Sequence, residues 1–235
     1  MAERRGVVVH DTDVWWTVIV VDRFAIPLVR LVRNRLWVTP MRLTVAAHLL
    51  GVVSAVLLAR GELIAGAALF EIRFILDCMD GKLARTRGTS SRAGGYVDFV
   101  GDYVIAGLTM SGLGLHLLWH AEVSAVLAFA VPVVFATQIA VRLSVEQLGA
   151  MRNVADATPA GYRAWMAKRR LVPAPSRIDV EHGLLFVAPV LAATLDATWP
   201  VVTAAGVSVA YFGYVLCRFA WDGYARTRAM DRLAP

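Results

Sequence analysis

Four aspartates that stand between long apolar runs have the spacing of a metal site. They are Asp77, Asp80, Asp98 and Asp102, in the stretch DCMDGKLARTRGTSSRAGGYVDFVGDYV. Residues three or four positions apart lie on one face of a helix, so the first two aspartates form one pair and the last two another. A glycine-containing connection between the helices favours a tight return that brings the two faces together. Carboxylates this close in a low dielectric cannot all stay ionised without cations among them.

The residue types indicate which cation. Carboxylate oxygens without a nearby His or Cys pair in the sequence favour Mg²⁺, with Mn²⁺ or Ca²⁺ as alternatives, over zinc. Two ions in such a cluster suit phosphate chemistry, because they bridge a pyrophosphate and stabilise displacement at phosphorus. Gly81 and Gly94 leave room for a ligand to approach the backbone, and Arg85 is placed to bind a phosphate.

The alternative to a metal site is a set of acids neutralised by salt bridges within the membrane. Glu71 and Arg73, which lie nearby in the sequence, make such pairing available. Four acids at paired helical spacings, beside an arginine and a glycine-containing loop, favour the metal site over this alternative.

The elements that must position these acids are membrane helices. The chain has 235 residues, of which 58% are hydrophobic and 18% charged, whereas soluble domains are roughly 25% charged. Its apolar residues come in blocks that approach the ~20 residues needed to span a bilayer. We therefore predict an all-α integral membrane protein with six transmembrane helices preceded by an N-terminal amphipathic surface helix. The predicted spans are Leu43–Ala59, Leu63–Leu83, Tyr96–Trp119, Val123–Leu143, Val180–Ala197 and Trp199–Ala220.

The flanking segments complete the predicted organisation. Residues 1–40 form a juxtamembrane segment, residues 41–225 the membrane domain and residues 226–235 a basic tail. Within the first segment, apolar residues at near-helical spacing, interspersed arginines and tryptophans near both ends predict the surface helix, with Pro27 as a potential kink. A solvated N-terminal arm is the alternative.

The distribution of Lys and Arg predicts the orientation. The formal charge is +6, and most of the basic residues lie in the N-terminal arm, two alternate connections and the tail, with few in the intervening turns. The positive-inside rule places these basic segments, both termini and the aspartates at the cytoplasmic side of the cell (inner) membrane. Short basic patches beside apolar blocks suit a membrane boundary, so a nucleic-acid partner is not predicted.

The stretch resembles the signature of a known family. Asp77-Cys-Met-Asp80-Gly81-Lys-Leu-Ala84-Arg85, followed by Gly94, Asp98 and Asp102, matches every position of D-x-x-D-G-x-x-A-R-x8-G-x3-D-x3-D. This pattern is similar to that of the CDP-alcohol phosphotransferases, also called CDP-alcohol phosphatidyltransferases. The predicted six-span layout with a surface helix in front is also similar to that family.

The resemblance implies a reaction of phospholipid biosynthesis and a set of residue roles. A CDP-alcohol, usually CDP-diacylglycerol, would donate a substituted phosphate to an acceptor hydroxyl, with release of CMP. Asp77, Asp80 and Asp98 would hold two divalent ions, and Asp102 would help to hold them and act as the general base. Cytidine-nucleotide contacts would come from Asp80, Gly81, Ala84, Arg85 and Gly94. The family usually forms homodimers, and small residues on the third predicted span allow such packing.

Weaker similarities concern the acceptor, which we expect to be a small polar alcohol. VRLSVEQLG resembles the R-x-R-x-E-x-L-G stretch of phosphatidylinositol-phosphate and phosphatidylglycerophosphate synthases, with Ser144 in place of the second basic residue. SRIDVEH loosely resembles a later E-R stretch of those enzymes, with His182 in the Arg position. Met41 replaces the Asn that many relatives have. The predicted acceptor pocket comprises Arg142, Glu146, Arg152, Arg177 and Glu181.

Three other functions remain open from the sequence. The first is an enzyme that uses a small CDP-alcohol as donor and a diradylglycerol as acceptor. A cation transporter would place the acids at mid-membrane along a route through the bilayer, and an inactive membrane scaffold would not bind nucleotide.

Overall fold

A computed structural model describes residues 1–4, 6–120, 123–147 and 159–232. The chain begins with a β-hairpin that the sequence patterns did not predict. Its strands, β1 (Ala2–Arg4) and β2 (Val7–Val9), pair antiparallel around Gly6, whose φ of +76° suits a residue without a Cβ. A π-helical turn at Thr17–Val21 then leads into α1 (Asp22–Val32), which contains Pro27.

The remaining described elements are all helical. They are α2 (Pro40–Ala59), α3 (Leu63–Arg87), α4 (Arg92–His120), α5 (Ala125–Gln147), α6 (Ala160–Lys168), α7 (Arg177–His182), α8 (Ala188–Leu195) and α9 (Trp199–Asp231). A second π-helical turn, Gly183–Val187, joins α7 to α8 without a break in the helical backbone. Helix α6 lies in a connection for which the sequence predicted no helix.

Four helical stretches are long and apolar enough to cross a membrane by length and composition. They are Pro40–Ala59, Ala125–Gln147, Arg177–Leu195 and Trp199–Asp231. Helices α3 and α4, with 25 and 29 residues, are long as well, and they carry the aspartates near the ends where they meet. Each of the six predicted spans thus falls on a helical stretch. The composition and the helices are those of an all-α, multi-pass membrane protein.

Helices α2, α3 and α4 pack closely and form the frame of the site. Ser54 of α2 donates a hydrogen bond of 2.8 Å to the carbonyl oxygen of Gly66 in α3. At the next residue of α2, the backbone of Gly112 in α4 lies against the carbonyl of Ala55, so closely that a Cβ at position 112 would overlap it. Small residues at these contacts let the three backbones approach, as is common in membrane bundles.

A short connection turns the chain from α3 into α4. Gly88 ends α3 in the left-handed conformation, with φ of +67°, and the Thr89 amide donates to the Ala84 carbonyl oxygen at 2.9 Å. At the start of α4, the Ser91 hydroxyl accepts a hydrogen bond of 3.0 Å from the amide of Gly94. The two helices therefore run antiparallel, as the glycines in the sequence predicted.

A buried ion cluster fixes the N-terminal segment to the same end of α3. The carboxylate of Asp22 in α1 lies 3.1 Å from the Lys82 ammonium and 2.7 Å from the Arg170 guanidinium. All three residues are buried. Lys82 follows Gly81 of the signature, so this cluster joins α1 and the segment after α6 to the signature helix.

Asp22→Asn is expected to destabilise the protein by about 3–5 kcal/mol, because it leaves two buried cations without their anion. For a domain of this size that loss lowers Tm by about 6–20 °C. Thermal unfolding of the purified protein in detergent measures the change. Asp11→Asn is the matched control, since Asp11 is exposed and pairs with the terminal amine. Equal Tm values for the two variants would contradict a stabilising role of the cluster.

Candidate active site

The four signature aspartates lie together between the facing sides of α3 and α4. Asp77, Asp80 and Asp98 each place a carboxylate oxygen within 4.8 Å of the other two. Asp77 also belongs to a second group, with Asp102 and His48, whose ligand atoms meet the same distance limit. The acids therefore converge as their helical spacing predicted.

Several polar atoms in this cluster have no hydrogen-bond partner among the described residues. They include Oδ1 of Asp77 and Oδ1 of Asp98, both buried. Asp77 is 9% exposed and Asp80 5%. Burying a carboxylate oxygen without a donor or a cation is costly, so these atoms are suited to bind positive charge. The donor set, oxygen atoms with one imidazole, fits a divalent metal ion.

Thr44 connects α2 to the cluster. Its hydroxyl donates a short hydrogen bond to the carboxylate of Asp80. Thr44 is itself buried and lies one turn inside α2, whose first residue is Pro40. This contact fixes one oxygen of Asp80 and was not predicted from the sequence.

Asp102 is held by Arg73, one of the two nearby charged residues that made ion pairing of the acids available from the sequence. Nη2 of Arg73 lies 2.6 Å from Oδ1 of Asp102, and the arginine is only 4% exposed. Its guanidinium lies 5.7 Å and 6.0 Å from the ring centroids of Phe70 and Phe74. A charged hydrogen bond within this aromatic setting orients the Asp102 carboxylate.

Glu71 has different partners. Its two carboxylate oxygens accept from Nε1 of Trp16 at 3.2 and 3.1 Å, and one of them lies 3.5 Å from Nε2 of His182. The His182 ring stacks on Trp16, with ring centroids 5.0 Å apart. His182 therefore contacts Glu71 and the N-terminal segment.

His48 enters the site from α2, one helical turn after Thr44. Its ring lies against Gly101 of α4, where a Cβ would overlap the imidazole. The absence of a side chain at position 101 thus lets the imidazole approach the acids. The sequence has no His or Cys pair near the aspartates, and the single histidine that joins them here comes from a different helix. The signal that was available is the i, i+4 spacing of two polar residues on the apolar helix α2.

A cavity of about 500 Å³ opens beside the cluster. All five residues predicted to contact the nucleotide line it, namely Asp80, Gly81, Ala84, Arg85 and Gly94. The first residues of α2, including Met41 and Thr44, and the polar turn between α3 and α4 complete the wall. Nε of Arg85 is buried without a partner among the described residues. The volume is within the usual range for a small-molecule site, and the free donor suits an anionic group.

Four of the five residues predicted for the acceptor pocket form two arginine–carboxylate pairs, and Tyr103 contacts both arginines. Arg142 contacts Glu146 at 2.9 Å and donates to the Tyr103 hydroxyl at 2.8 Å. Arg177 contacts Glu181 at 2.6 Å, and its guanidinium lies 4.5 Å from the centroid of the Tyr103 ring. Glu181 also interacts electrostatically with Arg73 and Asp102, so the Arg177–Glu181 pair lies near the acidic cluster, and Tyr103 links it to the Arg142–Glu146 pair.

The predicted acceptor pocket is only partly described by the structure, and it lacked one residue that the structure adds. Arg152 and Gly149 lie outside the described residues. Tyr103 was not predicted, although its place next to Asp102 on α4 is a signal that a search for aromatic contacts could have used.

Comparison with known proteins identifies the family. The CDP-alcohol phosphatidyltransferase family matches residues 37–210, about three quarters of the chain, and the protein belongs to that family. A curated relative, the bifunctional IPC transferase and DIPP synthase of Thermococcus kodakarensis, is 41% identical over 70 residues. That stretch covers 30% of this chain and 16% of the relative.

Solved structures of phosphatidylinositol phosphate synthase (PgsA1) from Mycobacterium tuberculosis have a similar fold. The structure with CDP-DAG bound has a TM-score of 0.67 and 17% sequence identity, covering 86% of this chain and 94% of that chain. The structure in complex with manganese and citrate also has a TM-score of 0.67 and 17% identity, covering 86% and 89%. At this identity the likeness concerns the fold.

Proposed function

We propose that this protein transfers a phosphatidyl group, or another substituted phosphate, from a CDP-alcohol to the hydroxyl of an acceptor alcohol, with release of CMP. CDP-diacylglycerol is the proposed donor. The observation that carries the proposal is that all the signature residues meet in one place, with four carboxylates beside a cavity lined by Gly81, Ala84, Arg85 and Gly94. Family membership supports the same class of reaction.

Asp77, Asp80, Asp98 and Asp102 are proposed to hold two divalent ions, Mg²⁺ in the first instance and Mn²⁺ as the alternative. The two overlapping ligand groups that share Asp77 support a pair of sites. Bound there, the ions would neutralise the charge of the donor pyrophosphate and of the leaving nucleotide.

Protein side chains would supply the general base and the contacts that hold the nucleotide. The Asp102 carboxylate takes the proton from the acceptor hydroxyl, while Arg73 keeps that carboxylate in place. The hydroxyl oxygen forms a new bond to the β-phosphorus, the pyrophosphate P–O bond breaks, and its electron pair leaves with CMP. Arg85 binds a phosphate of the nucleotide, and the small residues Gly81, Ala84 and Gly94 give space to the cytidine.

The paired arginines favour an uncharged acceptor. Arg73, Arg142 and Arg177 each contact a carboxylate, those of Asp102, Glu146 and Glu181. A phosphate-bearing acceptor would have to compete with these carboxylates for the guanidinium donors. An uncharged polyol such as inositol instead finds donors and acceptors already oriented by the pairs and by Tyr103.

The membrane arrangement is also part of the proposal. Six crossings, with both termini and the site on the cytoplasmic side of the cell membrane, agree with the distribution of Lys and Arg. The exposed apolar residues of α1, including Phe24 and Leu31, suit a position at the bilayer surface. We also propose a juxtamembrane segment at residues 1–40, a membrane domain at 41–225 and a basic tail at 226–235. The proposed oligomeric state is a homodimer.

A panel of substrates tests the function. Purified protein with Mg²⁺ is offered CDP-diacylglycerol or CDP-ethanolamine as donor. CDP-diacylglycerol is paired with an acceptor that carries no phosphate (inositol, glycerol or serine) or with a phosphorylated one (inositol phosphate or glycerol phosphate). CDP-ethanolamine is paired with a diradylglycerol. Mass spectrometry of CMP and of the lipid product gives the result. We expect CMP from CDP-diacylglycerol and an uncharged acceptor.

Three other results of the substrate panel would each change the proposal in a different way. Faster turnover with a phosphorylated acceptor overturns the acceptor class and leaves the reaction intact. CMP formed from CDP-ethanolamine in the presence of diradylglycerol reverses the roles of donor and acceptor. A folded protein that binds no cytidine nucleotide and releases no CMP with any pair is the result predicted for an inactive scaffold, and it overturns the proposal.

A further inference from the structure

His48 forms a potential metal-ligand group with Asp77 and Asp102, and its donor atoms differ from those of the all-aspartate group. A ring nitrogen of His48 and carboxylate oxygens of Asp77 and Asp102 all lie within 4.8 Å of one another. The group formed by Asp77, Asp80 and Asp98 has oxygen ligands alone. Since Asp77 belongs to both, the two groups are adjacent positions of one site with different donor atoms.

The position of His48 is built into the helix packing. The ring occupies the space beside Gly101, where any side chain would overlap it. On α2, His48 lies one turn from Thr44, whose hydroxyl binds Asp80 of the other ligand group. The same face of α2 therefore reaches both positions.

Two of the polar atoms in this group lack a partner within the described ranges. Nε2 of His48 and Oδ1 of Asp77 are buried without hydrogen-bond partners among the described residues, and Asp77 is more than nine-tenths buried. Asp102 already has a cationic partner in Arg73 at 2.6 Å. An imidazole nitrogen without a hydrogen-bond partner, beside carboxylate oxygens, is suited to bind a metal ion.

We propose that His48 is a nitrogen ligand of the second metal position, together with Asp77 and Asp102, and that this position prefers Mn²⁺ to Mg²⁺. The inference rests on the proposed metal-dependent function. Mg²⁺ prefers oxygen ligands, including water. An imidazole nitrogen binds transition-metal ions such as Mn²⁺ more tightly than it binds Mg²⁺. The all-oxygen position of Asp77, Asp80 and Asp98 accepts Mg²⁺, so the two positions differ in selectivity.

The test is pulsed EPR of Mn²⁺ bound to the purified, full-length protein. Electron spin-echo envelope modulation detects a ¹⁴N nucleus directly bound to Mn²⁺, and we expect an imidazole signal in the wild-type protein. Labelling with ¹⁵N-histidine should replace it by a ¹⁵N signal, which assigns the ligand to histidine without any mutation. The chain has five histidines, so variants then identify the residue.

His48→Gln is expected to lose the nitrogen signal and to weaken one of two Mn²⁺ sites by about 10–100-fold or more. Mg²⁺ should then compete more effectively for that position. His116→Gln is the matched control, since His116 lies near the other end of α4, about 20 Å along the helix from Asp102. That variant should keep the wild-type signal.

Failure of this inference can be distinguished from failure of the proposed function. Bound Mn²⁺ without a histidine-nitrogen signal in the wild-type protein, or a signal that persists in a folded His48→Gln variant, overturns the role of His48 and leaves the carboxylate site intact. A folded wild-type protein that binds Mg²⁺ but no Mn²⁺ overturns the role of His48 alone, and one that binds neither ion overturns both.

Discussion

Asp102→Asn is expected to lower kcat by about 10²–10⁴-fold while the protein still binds CMP. Asparagine has nearly the shape of aspartate but cannot take a proton from the acceptor hydroxyl, and general-base catalysis contributes a factor of this size. The cavity residues Gly81, Ala84 and Arg85 are unchanged, so the nucleotide keeps its own contacts. Steady-state CMP release and calorimetric CMP binding measure the two effects separately.

Two further variants test the interpretation. Asp196→Asn is the matched control, because Asp196 follows α8 outside the acidic cluster and adopts a left-handed conformation, φ 48°, that asparagine also tolerates. It should keep wild-type kcat. Arg73→Gln removes the guanidinium that orients Asp102 and should lower kcat more than it raises KM for the donor. Full activity of the Asp102→Asn protein contradicts the general-base assignment, and so does an equal loss of CMP binding and turnover.

The convergence of the aspartates could be predicted because it depends on local geometry. Helical periodicity places Asp77 with Asp80, and Asp98 with Asp102, on single faces. A glycine that ends α3 in the left-handed conformation then returns the chain into α4. These are short-range properties, and the sequence contains all the residues that determine them.

The residues around the acids could not be predicted in the same way, because packing between distant helices determines them. Thr44 and His48 reach the site from α2, and His48 can do so because position 101 of α4 has no Cβ. Neither contact follows from spacing within the signature. The histidine matters for the chemistry, since the expectation of Mg²⁺ rested on carboxylates without a nearby His or Cys pair, and His48 adds one nitrogen ligand atom to them.

Helix geometry gives the two charged residues near the signature different partners. Glu71 and Arg73 are two residues apart, and residues at that spacing point to different sides of a helix. Arg73 accordingly binds Asp102 of α4, and Glu71 accepts from Trp16 of the N-terminal segment. The β-hairpin escaped prediction because its strands have three residues each, too few for an alternating pattern to be recognised.

Removal of divalent metal is expected to stop CMP release, and addition of Mg²⁺ or Mn²⁺ is expected to restore it. Without cations, the acidic cluster would repel the pyrophosphate of the donor, and the buried oxygens of Asp77 and Asp98 would have no partner among the described residues. Metals at such sites contribute several kcal/mol to the transition state, so activity should fall by about 10³-fold or more. The assay uses protein treated with EDTA, its metal content measured by mass spectrometry.

Asp77→Asn extends this test to the ligand that the two groups share. Because Asp77 belongs to both groups, the variant should lose both ions and should not recover at metal concentrations that saturate the wild-type protein. Asp11→Asn, an identical change at an exposed position, should respond to EDTA and to added metal as the wild type does. Undiminished CMP release by metal-free protein would show that the carboxylates act without ions. In that case the four acids must share protons, because they lie too close together to be ionised at once.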